Sequence, residues 1–536
     1  MEKLTNVLDP RGYMNDVIQA PLAKRLDDLN GKTIYLIESW TSSNAGFDDA
    51  IKRIREYLSN KYPDIHFLST QRVLYSSDDP ALWAEVKEKA DAFIYFAAPS
   101  CSTTAYAITW PARALERNGV PGVVLIYEYL ETDAVISQER EGMWIRYVKT
   151  PFPYINSSEE EKQDIPRRIE AELLRPVEGR ELDAGVRTPE QPPRYVPAGT
   201  EEELHQYFYE QGWTDGLPIV LPTEERVQAM LKGTHHSPYE IVATQMAPEG
   251  KKVTVEKVAV IAVMAGALPC YLPVILAAVE IMGKDQYYHA TTKSTSSFSF
   301  LQVVNGPIRN EIEMNASVYA LGPGNRANAV IGRAHRLALT NLGGSRVGEN
   351  LMGVQGSVAS YTFAIPENEE ASPWISYAEH FGFSKDESVL TILTGGQAHC
   401  GNYMLVPGME ACIATFKTYE FNAGLTLLLS PRRARELATD YGCVTYDDAL
   451  DYILENSKVT IGEMKKNGMM GHVQRDHVAG THKYPDEYMT LPDDAVVQAY
   501  PREEVNLIVV GDPQGSNTIQ SWALYYPRSA SIDKWR

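Results

Sequence analysis

The sequence predicts an α/β protein with an N-terminal doubly wound parallel-sheet domain and a larger mixed α/β domain behind it. Three observations carry this. Short strand-type runs alternate with helix-period segments between residues 32 and 126, and such alternation builds a parallel sheet covered by helices. A Pro-rich stretch, PVEGRELDAGVRTPEQPPRYVPAGT, then interrupts the pattern. The chain of 536 residues is too long for one core. The expected layout is an α/β domain over 1–175, a linker over 176–200 and a large domain over 201–536, long enough for two subdomains.

The elements follow in order. KTIYLI (32–37) reads as the first strand, and AIKRIREYLSNKY after it has apolar residues at helical spacing. Ile65–Leu68 is the second strand, and Asp79 before Pro80 caps the helix of DDPALWAEVKEKA. Phe93–Phe96 is the third strand, TWPARALERNG a helix stopped by Gly119, and Val120–Ile126 the fourth strand. In the second part Thr200 caps EELHQYFYEQGW and Thr223 caps the helix after GWTDGLPIVLP. KVAVIAVMAGALPCYLPVILAAVEIM is broken by Gly266, Pro269 and Pro273, so it reads as a pair of buried helices, with Cys270 in the core. Val505–Val510 is a late strand running into GDPQGSN.

Composition excludes some classes. The formal net charge is -20, from 70 acidic and 50 basic residues, which argues against a nucleic-acid partner. The N-terminus lacks a signal-peptide core, and the broken apolar segment argues against a membrane span. Five cysteines without CxxC spacing suggest reduced thiols and a cytoplasmic protein. The size and the apolar 257–282 segment allow a homodimer.

Ligands of doubly wound sheets gather at the carboxyl ends of the strands. Two loops stand there: ESWTSSNAG after the first strand and APSCSTT after the third. Cys101 in the second loop opens a helix, where the dipole and free amides lower a thiol's pKa. Ser102 and Thr103 add hydroxyls that can stabilise a thiolate or a developing anion, and Ser42, Ser43 and Asn44 can orient a substrate. The plain alternative is a packed cysteine in a tight turn. Cys400 beside His399 is a further candidate thiol, whereas Cys412 and Cys443 read as structural.

The second part carries Gly- and Asn-rich loops. Asn305 precedes one turn. Asn325, Arg326 and Asn328 follow the Gly322-Pro323-Gly324 turn at a helix start, with His335 and Arg336 farther along. Helix-start amides and an arginine can hold a carboxylate; turns and caps alone explain the same residues. Neither Walker A nor GxGxxG spacing occurs, so no cofactor is expected. His235-His236 lacks partners at ligand spacing, so no metal is expected. HATTKSTSS (289–297) sets His289 and Lys293 among hydroxyls, either beside a site or in an ordinary loop.

The N-terminal part resembles the UGSC family, named for a selenocysteine/cysteine-Gly-Ser-Cys motif after a strand. The matching positions read Ala98-Pro99-Ser100-Cys101, and ALERNGVPGVV is similar to the helix, turn and strand that follow. GWTDGLPIVLPTEERV, VNGPIRNE, LGPGNRANAVIGRA and ENEEASPW are similar to the large domain of longer members. The resemblance implies a site rather than a reaction. Ala98 and Pro99 replace the first chalcogen and the glycine, so a two-thiol cycle lacks its partner unless Cys400 supplies it.

The expected function is a cysteine-dependent enzyme, a lyase or transferase, acting on a small carboxylate-bearing substrate. Carbon–sulfur bond formation or cleavage at a Cys101 thiolate is the preferred class. The alternatives are a thiol redox enzyme, a non-catalytic subunit or binding protein, and a thiol-independent hydrolase or lyase using Arg326 and His335 of the 305–336 region.

Overall fold

The computed structural model describes residues 2–39, 47–72, 75–284, 286–399, 424–513 and 519–536. A short strand β1 (Val17–Gln19) precedes β2 (Thr33–Ser39), β3 (His66–Arg72), β4 (Ala92–Phe96), β5 (Gly122–Tyr127) and β6 (Tyr147–Thr150). The last five form one parallel sheet in the order β3-β2-β4-β5-β6. Numbered among themselves, these strands run 2-1-3-4-5. The chain therefore leaves β2 in one direction and returns past it to β4, and the switch point lies between the ends of β2 and β4.

Side-chain alternation explains the layers. Tyr35, Ile37, Phe93, Tyr95, Val124 and Ile126 face α2 (Pro80–Lys89), α3 (Cys101–Ala114) and α4 (Glu131–Glu141). Ile34, Leu36, Ile94, Phe96, Val123 and Leu125 face α1 (Phe47–Lys61) and α5 (Glu159–Leu174). Both faces are covered, so the central strands are continuously apolar. Asp79 Oδ1 caps α2, accepting from the Leu82 amide at 3.0 Å, and Gly119 ends the α3 region at φ 87°. The doubly wound expectation holds. Strand β6 went unread because Tyr147-Val-Lys-Thr150 is a short edge run with no resolvable period.

The Pro-rich stretch lies against both parts. Its β7 (Gly185–Arg187) pairs with β1, and Tyr195 and Gly199 bridge Leu8 and Leu4. Val7 and Leu8 are buried in the core of the second part.

The second part is also mixed α/β. After α6 (Glu201–Glu210) and α7 (Glu224–Leu231) comes an antiparallel pair, β8 (Ile241–Met246) and β9 (Lys251–Thr254). A larger sheet has the order β11-β10-β12-β17-β13-β16, from β10 (Ser299–Asn305), β11 (Ala364–Pro366), β12 (Val389–His399), β13 (Leu425–Leu429), β16 (Val505–Val509) and β17 (Ile519–Ser531). A small pair, β14 (Val459–Thr460) and β15 (Val496–Val497), lies apart from it. Helices α8 (Val255–Ala265), α9 (Leu272–Lys284) and, beyond α10 (Gln286–Thr291) and α11 (Ile308–Glu311), α12 (Arg326–Ala338) bury one common core. The apolar 257–282 segment is thus two buried helices, with Gly266 ending the first at φ 84°. Among the described residues no helix is long and apolar enough to cross a membrane. Cys270 departs from expectation. It is exposed, because Pro269 and Gly266 put it in the turn between the two helices rather than inside either.

Candidate functional site

Strand β4 is buried along its length and hands the chain to Ala97, whose amide still bonds the Leu125 carbonyl at 3.0 Å. The turn then closes tightly: the Ser100 amide donates back to the Ala98 carbonyl at 2.8 Å, and the Thr104 amide to the Ser100 carbonyl at 2.9 Å. Cys101 is therefore the first residue of α3, at the switch point of the sheet, and its side chain is fully buried.

The expected thiolate is not the resting form. Burial pushes the Cys101 thiol up to about 12, and the Asp133 carboxylate adds to the shift; Lys293 and the backbone amides of Met352 and Cys101 oppose it. A helix dipole contributes about 0.3–2 kcal/mol, which the loss of water around a buried sulfur outweighs. The hydroxyls expected to help are occupied elsewhere. Thr103 Oγ1 accepts from the Ser100 amide at 3.2 Å and donates to the carbonyls of Ala98 and Ser100. Ser102 Oγ lies 3.1 Å from Ser100 Oγ. Both residues build the turn.

The groups that act on the sulfur come from farther along the chain. Asp133 is fully buried in the first turn of α4, and among the described residues neither of its carboxylate oxygens has a hydrogen-bond partner. Burial raises it to about 6, with Lys293 and Arg140 opposing. Lys293 enters from the second part, and its Nζ stands 3.9 Å from Asp133 Oδ1. Burial lowers it to about 8, with Asp133 opposing. Two more buried hydroxyls on these helices have no hydrogen-bond partner among the described residues: Thr104, one turn beyond Cys101, and Ser137, one turn beyond Asp133. Tyr129 covers the turn from the other side, donating its hydroxyl to the Pro99 carbonyl at 3.2 Å.

HATTKSTSS is a junction, not an ordinary loop. His289 lines a cavity of about 1210 Å³ between the two parts, together with Tyr106 and Thr109 of α3 and Arg140 of α4. Lys293 reaches Asp133. Ser296 and Ser297 line a second cavity of about 580 Å³. The segment is held by Met352 and Val354, whose amides donate to the carbonyls of Ser294 and Thr295 at 3.0 and 3.1 Å. His289 is half-buried and held at about 4 by desolvation and by Arg140, with its Nδ1 3.0 Å from the Pro248 carbonyl.

The other sequence candidates fall elsewhere. Ser42, Ser43, Asn44 and Cys400 lie outside the described residues, and His399 ends β12 opposite Ser521. Asn325 caps α12, accepting from the Asn328 amide at 3.0 Å. Asn328 is buried and bonds Asn315 and Ala320. Asn305 is buried between Glu367 and Glu369 at 2.6 and 2.8 Å. Arg326 is exposed, donates to the Gly266 carbonyl at 2.9 Å and lines neither cavity. A shared grip by Asn325 and Arg326 over Cys101 is thus not what the structure displays: α12 turns its first residues toward the α8–α9 turn. His335 is buried against Phe300, with ring centroids 5.2 Å apart.

Sequence reasoning missed Asp133 and Tyr129 and left Lys293 undecided. A charged residue inside a helix pattern carries no mark of burial; only an aspartate in the first turn of a helix packed on both sides could have hinted at it.

Fold and site together define the class: a doubly wound α/β domain with a cysteine at its topological switch point. Residues 6–179 match the UGSC family, and this part of the chain is a UGSC-family domain. No curated protein and no solved structure matches the chain.

Proposed function

We propose that the protein is a cysteine-dependent enzyme that makes or breaks a carbon–sulfur bond on a small carboxylate-bearing substrate, with Cys101 as nucleophile. The observation that carries this reading is the buried Asp133–Lys293 pair that acts electrostatically on the thiol, with no hydrogen-bond partner for either aspartate oxygen among the described residues. Buried charge without hydrogen bonds is costly, and titratable groups so perturbed concentrate at working sites. In the proposed step the sulfur donates an electron pair to an electrophilic carbon, whose leaving group departs with its bonding pair. The thiol proton passes to the Asp133 carboxylate, and the Lys293 ammonium neutralises charge developing on sulfur. Protonating Asp133 also removes the negative charge that disfavours the thiolate.

Iodoacetate tests this, since it is a small anionic electrophile. The expected result is carboxymethylation of Cys101 in the folded protein, faster than by neutral iodoacetamide and faster than at exposed Cys270. If Cys270 reacts while Cys101 stays unmodified, Cys101 is a packed thiol and the reading fails.

A further inference from the structure

The second cavity, in the larger part of the chain, has its own chemistry. Its volume of about 580 Å³ is that of an ordinary small-molecule pocket. Arg336 on α12 lines it. Among the described residues that guanidinium has no carboxylate partner, and its hydrogen bond goes to the Ser345 carbonyl at 3.1 Å. Asp215 acts on it through space, yet both Asp215 oxygens are taken by Arg333 at 2.7 and 2.9 Å. His335 also lines the cavity, is 4% exposed, and among the described residues neither ring nitrogen has a hydrogen-bond partner. Burial holds His335 down at about 3, so at neutral pH it offers one donor and one acceptor. The wall beside these groups is aromatic: Phe298, Phe300, Tyr361 and Phe363.

A planar cation that has no carboxylate partner among the described residues and lines a pocket calls for a planar anion. One guanidinium fork matches one carboxylate. The aromatic wall calls for an apolar or aromatic body beside that carboxylate. A phosphate dianion would leave much of its charge unmatched, since the other lining arginine, Arg346, is paired with Glu349 at 3.3 Å.

We infer that this cavity is a binding site for a small aryl- or alkyl-carboxylate, gripped by Arg336 with His335 meeting a polar group of the ligand. Cys101, Asp133 and Lys293 do not line this cavity, and the inference does not rest on the thiol reading.

The test uses benzoate as probe, followed by calorimetry on the full chain. Benzoate binds the wild-type protein, and benzyl alcohol does not. Arg336→Gln weakens benzoate by about ten-fold or more, and Arg336→Lys weakens it too, because an ammonium lacks the fork. If Arg336→Gln does not fold, protection of Arg336 from phenylglyoxal by benzoate in the wild-type protein gives the same reading. Equal binding of benzyl alcohol, tighter binding of phenyl phosphate, or unchanged benzoate affinity in a folded Arg336 variant would overturn the proposal. So would a phenylglyoxal reaction at Arg336 that benzoate leaves unchanged. Cys101→Ser leaves benzoate affinity as in wild type, so failure here and failure of the thiol reading are read separately.

Discussion

Lys293 Nζ stands 3.9 Å from Asp133 Oδ1 across the boundary between the two parts of the chain, and both side chains are buried. One charge comes from the UGSC-family domain and the other from the segment between α10 and β10. The electrostatics around Cys101 exist only when both parts are docked.

Removing the cation exposes the cost of that arrangement. In Lys293→Met, Asp133 keeps its burial and loses its counter-charge, so its pKa rises further above about 6. A carboxyl raised in the folded state binds more protons there than in the unfolded chain. Its stabilising contribution is full below the unfolded value and is lost as pH rises through the folded one. Freed of a buried ammonium, the variant should be at least as stable as wild type near pH 4 and fall progressively behind as pH rises above 6. The deficit is about 3–5 kcal/mol once Asp133 is charged. Thermal melts across pH check this; a deficit independent of pH contradicts it.

The alkylation rate at Cys101 should be bell-shaped in pH. It requires Asp133 ionised and Lys293 protonated, so it rises through about 6 and falls through about 8. Asp133→Asn should slow iodoacetate labelling by roughly 10²-fold and flatten the acid limb. A rate that simply climbs toward pH 12 in wild type points to an unassisted thiol.

Thr103→Val separates turn-building from catalysis. Its hydroxyl is spent on the Ser100 amide and two carbonyls, so the variant should lose about 1–3 kcal/mol of stability. Labelling of Cys101, measured where the variant is fully folded, should keep the wild-type pH profile. A profile change without loss of stability would assign Thr103 to the chemistry.

Asn325→Ala should cost about 0.5–2 kcal/mol, the value of a helix cap, seen as an earlier urea midpoint. Cys101 labelling should not change, because the Asn325 side chain is committed to the Asn328 amide and the Glu313 carbonyl.

Much of the N-terminal fold was legible because strand and helix periods are local properties. Asp79 before Pro80, Gly119 after a helix and Gly266 between two helices all act within a few residues, and each sits where its chemistry predicts. The position of Cys101 was legible for the same reason. Its state was not: the thiol's pKa depends on how much water the fold removes, and residues such as Asp133, Lys293 and Met352 are distant in sequence. Arg326 and Asn325 misled because a Gly-Pro-Gly turn before a helix looks the same whether it faces a cavity or a neighbouring turn.

The sequence by itself determined the parallel-sheet class, the strand end that carries Cys101 and the buried helix pair, through patterns read over a few residues. Only the tertiary structure decided which charges share a space. The strand order places Cys101 at the switch point, docking of the second part delivers Lys293 to Asp133, and α12 turns Arg336 rather than Arg326 toward a cavity. The physical reason is that desolvation and Coulomb interactions depend on through-space distance, which residue spacing along the chain does not encode.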